Sequence, residues 1–107
     1  MIPGEFEQVV MLAILRVGKD AYGVTIRAEI ANRTGRQISP GALYTTLDRL
    51  EEKDWLSSRM GDPTPERGGR AKRYYEVTAS GLKCVSEAQR AFRNLVEGLA
   101  IIGASYA

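Results

Sequence analysis

The chain has no histidine and a single cysteine, Cys84. Without histidine the commonest general base is missing. One cysteine cannot form a disulfide within the chain, which agrees with a reducing compartment and leads us to expect a cytoplasmic protein. The same two absences remove the usual ligands of structural zinc, so neither a metal nor a cofactor is expected. Ser39, Ser57, Ser58 and Ser80 have no histidine to activate them. Gly68-Gly69 is not set in a phosphate loop of the Walker type. No catalytic residue is therefore assigned, and the chain is not expected to be an enzyme. Long apolar runs are lacking too: none approaches the roughly 20 residues that a membrane span needs. The opening Met1-Ile2-Pro3-Gly4-Glu5 reaches an acidic residue with no basic stretch before it, so it does not read as a signal peptide.

What remains suits one small domain with an appended helix. The chain has 107 residues, of which 44% are hydrophobic, and a net charge of +2. That content supports a modest core and argues against disorder. The charge is unevenly spread. Arg59, Arg67, Arg70, Lys72 and Arg73 fall close together against Asp62 and Glu66, and a local cationic patch matters more for phosphate binding than the total.

Periodicity predicts helices over Glu5 to Val17 and Tyr22 to Arg33. In the first, Phe6, Val9, Val10, Ala13 and Ile14 share a face that Leu12 and Leu15 widen. Gly18 suits a left-handed cap after it. In the second, Ile26 and Ile30 turn inward with either Val24 or Tyr22, and Gly35 ends the helix. Gly23 in its first turn costs about 1 kcal/mol against alanine, which suggests another group approaching the backbone there.

The most informative stretch is Ser39-Pro40-Gly41-Ala42-Leu43-Tyr44-Thr45-Thr46-Leu47-Asp48-Arg49-Leu50. Ser39 is a strong N-cap, and Pro40 sits at the first helical position, where proline is pre-set. Leu43, Leu47 and Leu50 follow the spacing of a buried stripe. The opposite face carries Gly41, Ala42, Thr45 and Arg49, which are small or hydrogen-bonding groups with one cation. Tyr44 lies at the edge of the stripe. A helix continuing to about Lys53 would be roughly 20 Å long, enough to lie across a major groove.

A strand is expected from Trp55 to Met60, a glycine- and proline-laden loop through Gly69, and a returning strand from Lys72 to Val77. Trp55 reads as a hydrophobic anchor. One of Tyr74 and Tyr75 should point inward and the other out, depending on register. Thr78 is positioned to cap a last helix from Ala79 to about Ile102. Val85, Phe92 and Leu99 lie seven apart, as do Ala88, Leu95 and Ile102, which makes a candidate dimer seam. The expected fold is mainly α with a two-stranded β wing: a winged helix-turn-helix over residues 1–77 and a dimerisation helix over 78–107. This order of elements, with a basic wing, points to duplex DNA as the partner. A winged-helix module that binds another protein instead is the alternative.

Three motifs in order resemble the PadR family of bacterial winged-helix transcription regulators. They are Leu12-Ala13-Ile14-Leu15 with Ala21-Tyr22-Gly23-Val24-Thr25-Ile26, the third helix from Ser39 to Glu52, and Gly69-Arg70-Ala71-Lys72-Arg73-Tyr74-Tyr75-Glu76-Val77-Thr78-Ala79-Ser80-Gly81. Together they extend over about residues 5 to 90. The resemblance implies a homodimeric repressor or regulator whose last helix makes the dimer. It implies that Tyr22, Ser39, Gly41, Tyr44, Thr45, Thr46 and Arg49 face DNA, with Arg70, Lys72 and Arg73 on the wing. Family members often respond to small aromatic or drug-like molecules at the dimer interface. The chain departs from the family where Thr45 replaces a frequent proline, Asp54 a usual glycine and Ala71 a frequent proline. It also has no tryptophan on the last helix to stack on an aromatic effector.

Overall fold

Each helix begins where a side chain can satisfy an orphan backbone N–H. The computed structural model describes residues 2–62 and 71–100. Helix α1 (Glu5–Val17) opens with Glu7 accepting the Gly4 N–H at 2.8 Å. It ends at Gly18, whose φ of 79° and ψ of −134° lie outside the left-handed helical cap expected there, and a 3-10 turn over Gly18–Asp20 follows. Helix α2 (Gly23–Thr34) starts after Tyr22, whose N–H donates to Thr25 Oγ1 at 3.0 Å. Gly35 closes it in the left-handed conformation, at φ 75° and ψ 1°. Helix α3 (Pro40–Glu52) starts as expected, with Ser39 Oγ accepting the Ala42 N–H at 3.1 Å. Strands β1 (Leu56–Met60) and β2 (Arg73–Val77) pair antiparallel, Leu56 opposite Val77 and Met60 opposite Arg73. Helix α4 (Ala79–Val96) is capped by Thr78 Oγ1, which accepts the Gly81 N–H at 3.0 Å.

The core gathers Val10, Met11 and Ile14 from α1, Ile26 and Ile30 from α2, and Leu43, Leu47 and Leu50 from α3. Trp55, Leu56, Tyr75 and Val85 complete it. Tyr75 is therefore the inward tyrosine of its pair, and Trp55 is the anchor expected. Two expectations change and one open alternative is resolved. Leu12 and Leu15 remain substantially exposed, because at 100° per residue they fall outside the arc shared by Val10, Met11 and Ile14. Val24 is exposed, so Tyr22 is the inward choice. Helix α4 stops at Val96: Glu97 leaves helical geometry at ψ 130° and Gly98 takes φ 84°. Leu99 thus lies beyond the helix, and Ile102 lies outside the described residues.

The turn after α3 ties the other elements together. Trp55 N–H donates to Leu50 C=O at 3.0 Å, and Trp55 C=O accepts Thr78 N–H at 3.0 Å. The Thr78 hydroxyl donates to Asp54 C=O at 2.7 Å. Asp54 has φ 65°, the one positive φ outside glycine among the described residues, at the position where the resemblance leads one to expect glycine. Gly81 lies so close to Trp55 that an added Cβ would meet its Cα and carbonyl carbon at 3.0 Å and its carbonyl oxygen closer still. Lys53 reaches back to α1, where its Nζ is 2.7 Å from buried Glu7 Oε2, and it also lies 4.9 Å from the Trp55 ring centroid.

Burial pushes the Glu7 carboxyl up. The Lys53 hydrogen bond, the Gly4 N–H and the charges of Lys53 and Arg49 outweigh it, holding the group below its ordinary 4.5. A depressed folded value adds stability above the unfolded one and loses it as pH falls through the folded one. Thermal melts should therefore show a loss beginning below about pH 4.5 that the Glu7→Gln variant lacks. An equally steep acid loss in that variant would assign the effect to other carboxylates. Gly81→Ala should cost about 2 kcal/mol or more, a fall on the order of 10 °C in Tm, because the obstructing atoms are backbone and cannot rotate away.

Candidate nucleic-acid interface

The outward face of α3 is set by the residues that do not pack. Leu43, Thr46, Leu47 and Leu50 are buried, which leaves Gly41, Ala42, Tyr44, Thr45, Asp48, Arg49 and Glu52 exposed. Thr46 is a correction. At 5% exposure it belongs to the core side, because it sits three residues after Leu43 and four before Leu50 and so falls within their arc. Asp48 and Glu52 were missed, although Asp48 follows Thr45 by three and Glu52 by seven, the spacing that puts side chains on one face. Gly41 has open space around it. The first half of the outward face is thus small and uncharged, and the second half carries Asp48, Arg49 and Glu52.

Tyr44 leans toward the start of α2. It is half-exposed, and its hydroxyl end packs directly on Gly23, where a side chain would collide with it. This is the close approach that the glycine implied. Tyr22, immediately before Gly23, is half-buried and meets Tyr74 edge to face, with centroids 5.6 Å apart and planes at 71°. Lys72 Nζ lies 4.8 Å from the Tyr22 ring centroid, and the Arg59 guanidinium lies 4.7 Å from that of Tyr74. The outer sheet face therefore presents cations already resting on aromatic rings.

Arg73 points elsewhere. Its guanidinium donates to Ser58 Oγ at 2.8 Å, and the Ser58 hydroxyl donates to Glu51 Oε2 at 2.6 Å. Adjacent strand residues face opposite sides, so Lys72 and Arg73 flank the sheet rather than forming one patch. Arg70 lies outside the described residues. The Arg49 side chain makes no hydrogen bond or ion pair among the described residues and is exposed, as is Ser39. Behind this surface, burial pushes the Tyr75 phenol up; Asp48, Glu51 and Tyr44 add to the rise, and Arg73 opposes it.

The residues expected at a dimer seam separate into two groups. Val85 is 1% exposed and packs in the core of its own chain, so it cannot line a seam. Ala88 is half-buried. Phe92 and Leu95 are 65% and 77% exposed, and Leu99, beyond the helix, is 49% exposed. Among the described residues no cluster of three metal-ligating side chains occurs. No helix there is long and apolar enough to cross a membrane. Burial also pushes the Cys84 thiol up, which disfavours the reactive thiolate.

Residues 11–87 match the transcriptional regulator PadR-like family. The chain belongs to this family. As a PadR-like protein it is 38% identical over 96 residues to the transcriptional regulator Rv3488 of Mycobacterium tuberculosis (strain ATCC 25618 / H37Rv), covering 85% of this chain and 83% of that one. A PadR family transcriptional regulator from Eggerthella lenta shares 26% identity at a TM-score of 0.69, covering 92% of this chain and 85% of that one. The fold alone is shared with F93 from STIV, a winged-helix DNA-binding protein, at 24% identity and a TM-score of 0.65 over 85% and 90% of the two chains. PadR-family members are transcriptional regulators rather than enzymes, and this chain carries their winged-helix DNA-binding fold.

The Gly23–Tyr44 contact has a testable sign. Gly23→Ala should destabilise the natural chain, because the new methyl displaces the Tyr44 ring. In a Tyr44→Ala background the same change should stabilise by about 0.5 kcal/mol, since alanine is the better helix former. Destabilisation in both backgrounds, measured by chemical denaturation, would dissociate the glycine from Tyr44.

Proposed function

We propose that this PadR-like regulator acts as a homodimeric repressor on an inverted-repeat operator. The observation that carries the reading is the pairing of two unspent surfaces on one chain. One is the open outward face of α3 beside a cationic wing root. The other is the uncovered Phe92 and Leu95 on α4. A second copy packed on Phe92, Leu95 and Leu99, with Ala88 at the margin, covers the apolar group. It also presents two α3 helices to major-groove segments about 34 Å apart, one helical turn, so the operator repeats with the symmetry of the dimer. Residues 1–77 then form the DNA-binding part and 78–107 the dimerisation part, with Val85 anchoring α4 to the former.

Within each half-site the N-terminal half of α3 enters deepest. Its Gly41, Ala42 and Thr45 are compact, whereas Asp48 and Glu52 meet repulsion wherever they approach phosphate. Arg49 supplies the bidentate donor suited to guanine. Ser39, Tyr22 and Tyr44 border this entry, and Arg70, Lys72 and Arg73 neutralise backbone charge. Occupying the operator excludes other proteins from the same segment, which is repression by occlusion. The reading places the protein in the cytoplasm, where its DNA is. It also leaves room for a small-molecule effector at the dimer interface, bound without tryptophan stacking because α4 carries no tryptophan.

Selection from a random duplex library at fixed salt should return two related half-sites, and light scattering should give twice the chain mass. Arg49→Ala should relax preference at one base position by about 1–3 kcal/mol. Lys72→Ala should weaken all sequences alike and flatten the slope of log K against log salt by about 0.9. A monomer that ignores every duplex at low salt would refute the reading, and identical uniform losses in the two variants would refute the division between reading and anchoring.

A further inference from the structure

We propose that Tyr22 and Tyr74 form a clamp that fixes the wing relative to α2 and α3, making Tyr74 a positioning residue for the wing's cations. The inference rests on the DNA-binding reading for its consequence, but its geometry stands in the free chain. The Tyr75 N–H donates to Ala21 C=O at 2.8 Å, which draws the segment before α2 alongside β2 and brings Tyr22 next to Tyr74. The two rings then meet edge to face at 5.6 Å, the arrangement that ring quadrupoles favour.

A cation caps each ring, Arg59 on Tyr74 and Lys72 on Tyr22, at 4.7 and 4.8 Å. The four side chains come from three segments: β1, the approach to and start of β2, and the cap of α2. The Tyr74 ring also lies against Gly61 at the outer end of β1, where an added Cβ would meet it at 2.6 Å. At the other end, Tyr22 is followed by Gly23, on which Tyr44 of α3 rests. A contiguous path of contact thus runs from the wing root through Tyr74, Tyr22 and Gly23 to Tyr44 on the exposed half of α3. Both clamp rings are only partly buried, so their removal takes little from the core and acts mainly on orientation. Holding Lys72 over a ring also restricts its rotamers before DNA arrives, which lowers the entropy lost on contact.

Two measurements on the full chain test this. In the free protein, hydrogen exchange of the Gly61 amide, which donates to Lys72 C=O at 2.7 Å, should accelerate about tenfold in Tyr74→Ala, while the amides of Leu47 and Leu50 hold their rates. Tyr22→Ala should do the same, the double variant should be no faster than either single one, and Tyr74→Phe should restore slow exchange. An unchanged Gly61 rate, acceleration of all amides alike, or failure of phenylalanine to rescue would overturn the clamp. On the selected duplex, Tyr74→Ala should flatten the salt slope by about 0.9 or more while keeping the base preference, and an unchanged slope would overturn the positioning role. If the natural chain binds no duplex, the functional reading fails, and the exchange experiment alone decides whether the clamp exists.

Discussion

The turn from Lys53 to Trp55 is where this fold is held together. Its backbone receives α4 through Thr78 and Gly81, its Lys53 side chain reaches Glu7 on α1, and its Trp55 ring enters the core. The helix that faces outward, the strand that leads into the wing and the helix that carries Phe92 and Leu95 all depart from these three residues or dock on them. Buried ion pairs add little net stability because desolvation offsets attraction, but breaking one leaves a charge stranded. At Glu7 the attraction exceeds the burial cost, so the Glu7–Lys53 contact adds stability while the carboxylate is ionised and also fixes where the end of α3 lies against α1.

From that fixed end, α3 projects an unequal surface. Its first half is small and neutral, while Asp48 and Glu52 give the second half a negative character that Arg49 only partly offsets. The cations that could meet phosphate are on the sheet instead, and they are divided. Arg59 and Lys72 rest on tyrosine rings on one face, whereas Arg73 is drawn toward Ser58 and Glu51 on the other. Shape and charge thus come from different elements, and the tyrosine contacts determine how those elements are spaced. That division fits the general pattern in which base contacts specify and phosphate contacts position.

Much of the fold was legible from short-range chemistry. Ser39-Pro40, Thr78 and Gly35 marked helix ends because caps act over three or four residues, and each does what its neighbours imply. Gly23 announced a close approach but not Tyr44 as the residue that makes it. Gly98 was a visible stop signal that the heptad pattern of α4 obscured. Thr46 was misplaced because the width of a buried stripe depends on what packs against it. Val85 and Phe92, seven residues apart in the same repeat, have opposite fates: Val85 lies in its own chain's core, whereas Phe92 is left exposed, although Val96 at the end of the same helix is buried. A repeat in the sequence cannot distinguish cover supplied by the same chain from cover supplied by another.

The order of elements, the caps at Ser39, Gly35 and Thr78, the core leucines of α3 and the family resemblance were set by the sequence alone, since each depends on residues close together or on motifs read in series. Tertiary structure decided the rest: Glu7 paired with Lys53, Tyr22 set against Tyr74, Gly81 pressed on Trp55, Thr46 turned inward and Arg73 turned away from Lys72. Each of these joins residues whose meeting depends on how whole elements pack. Helical and strand periodicity orders side chains around one axis, but only packing sets the axes relative to one another.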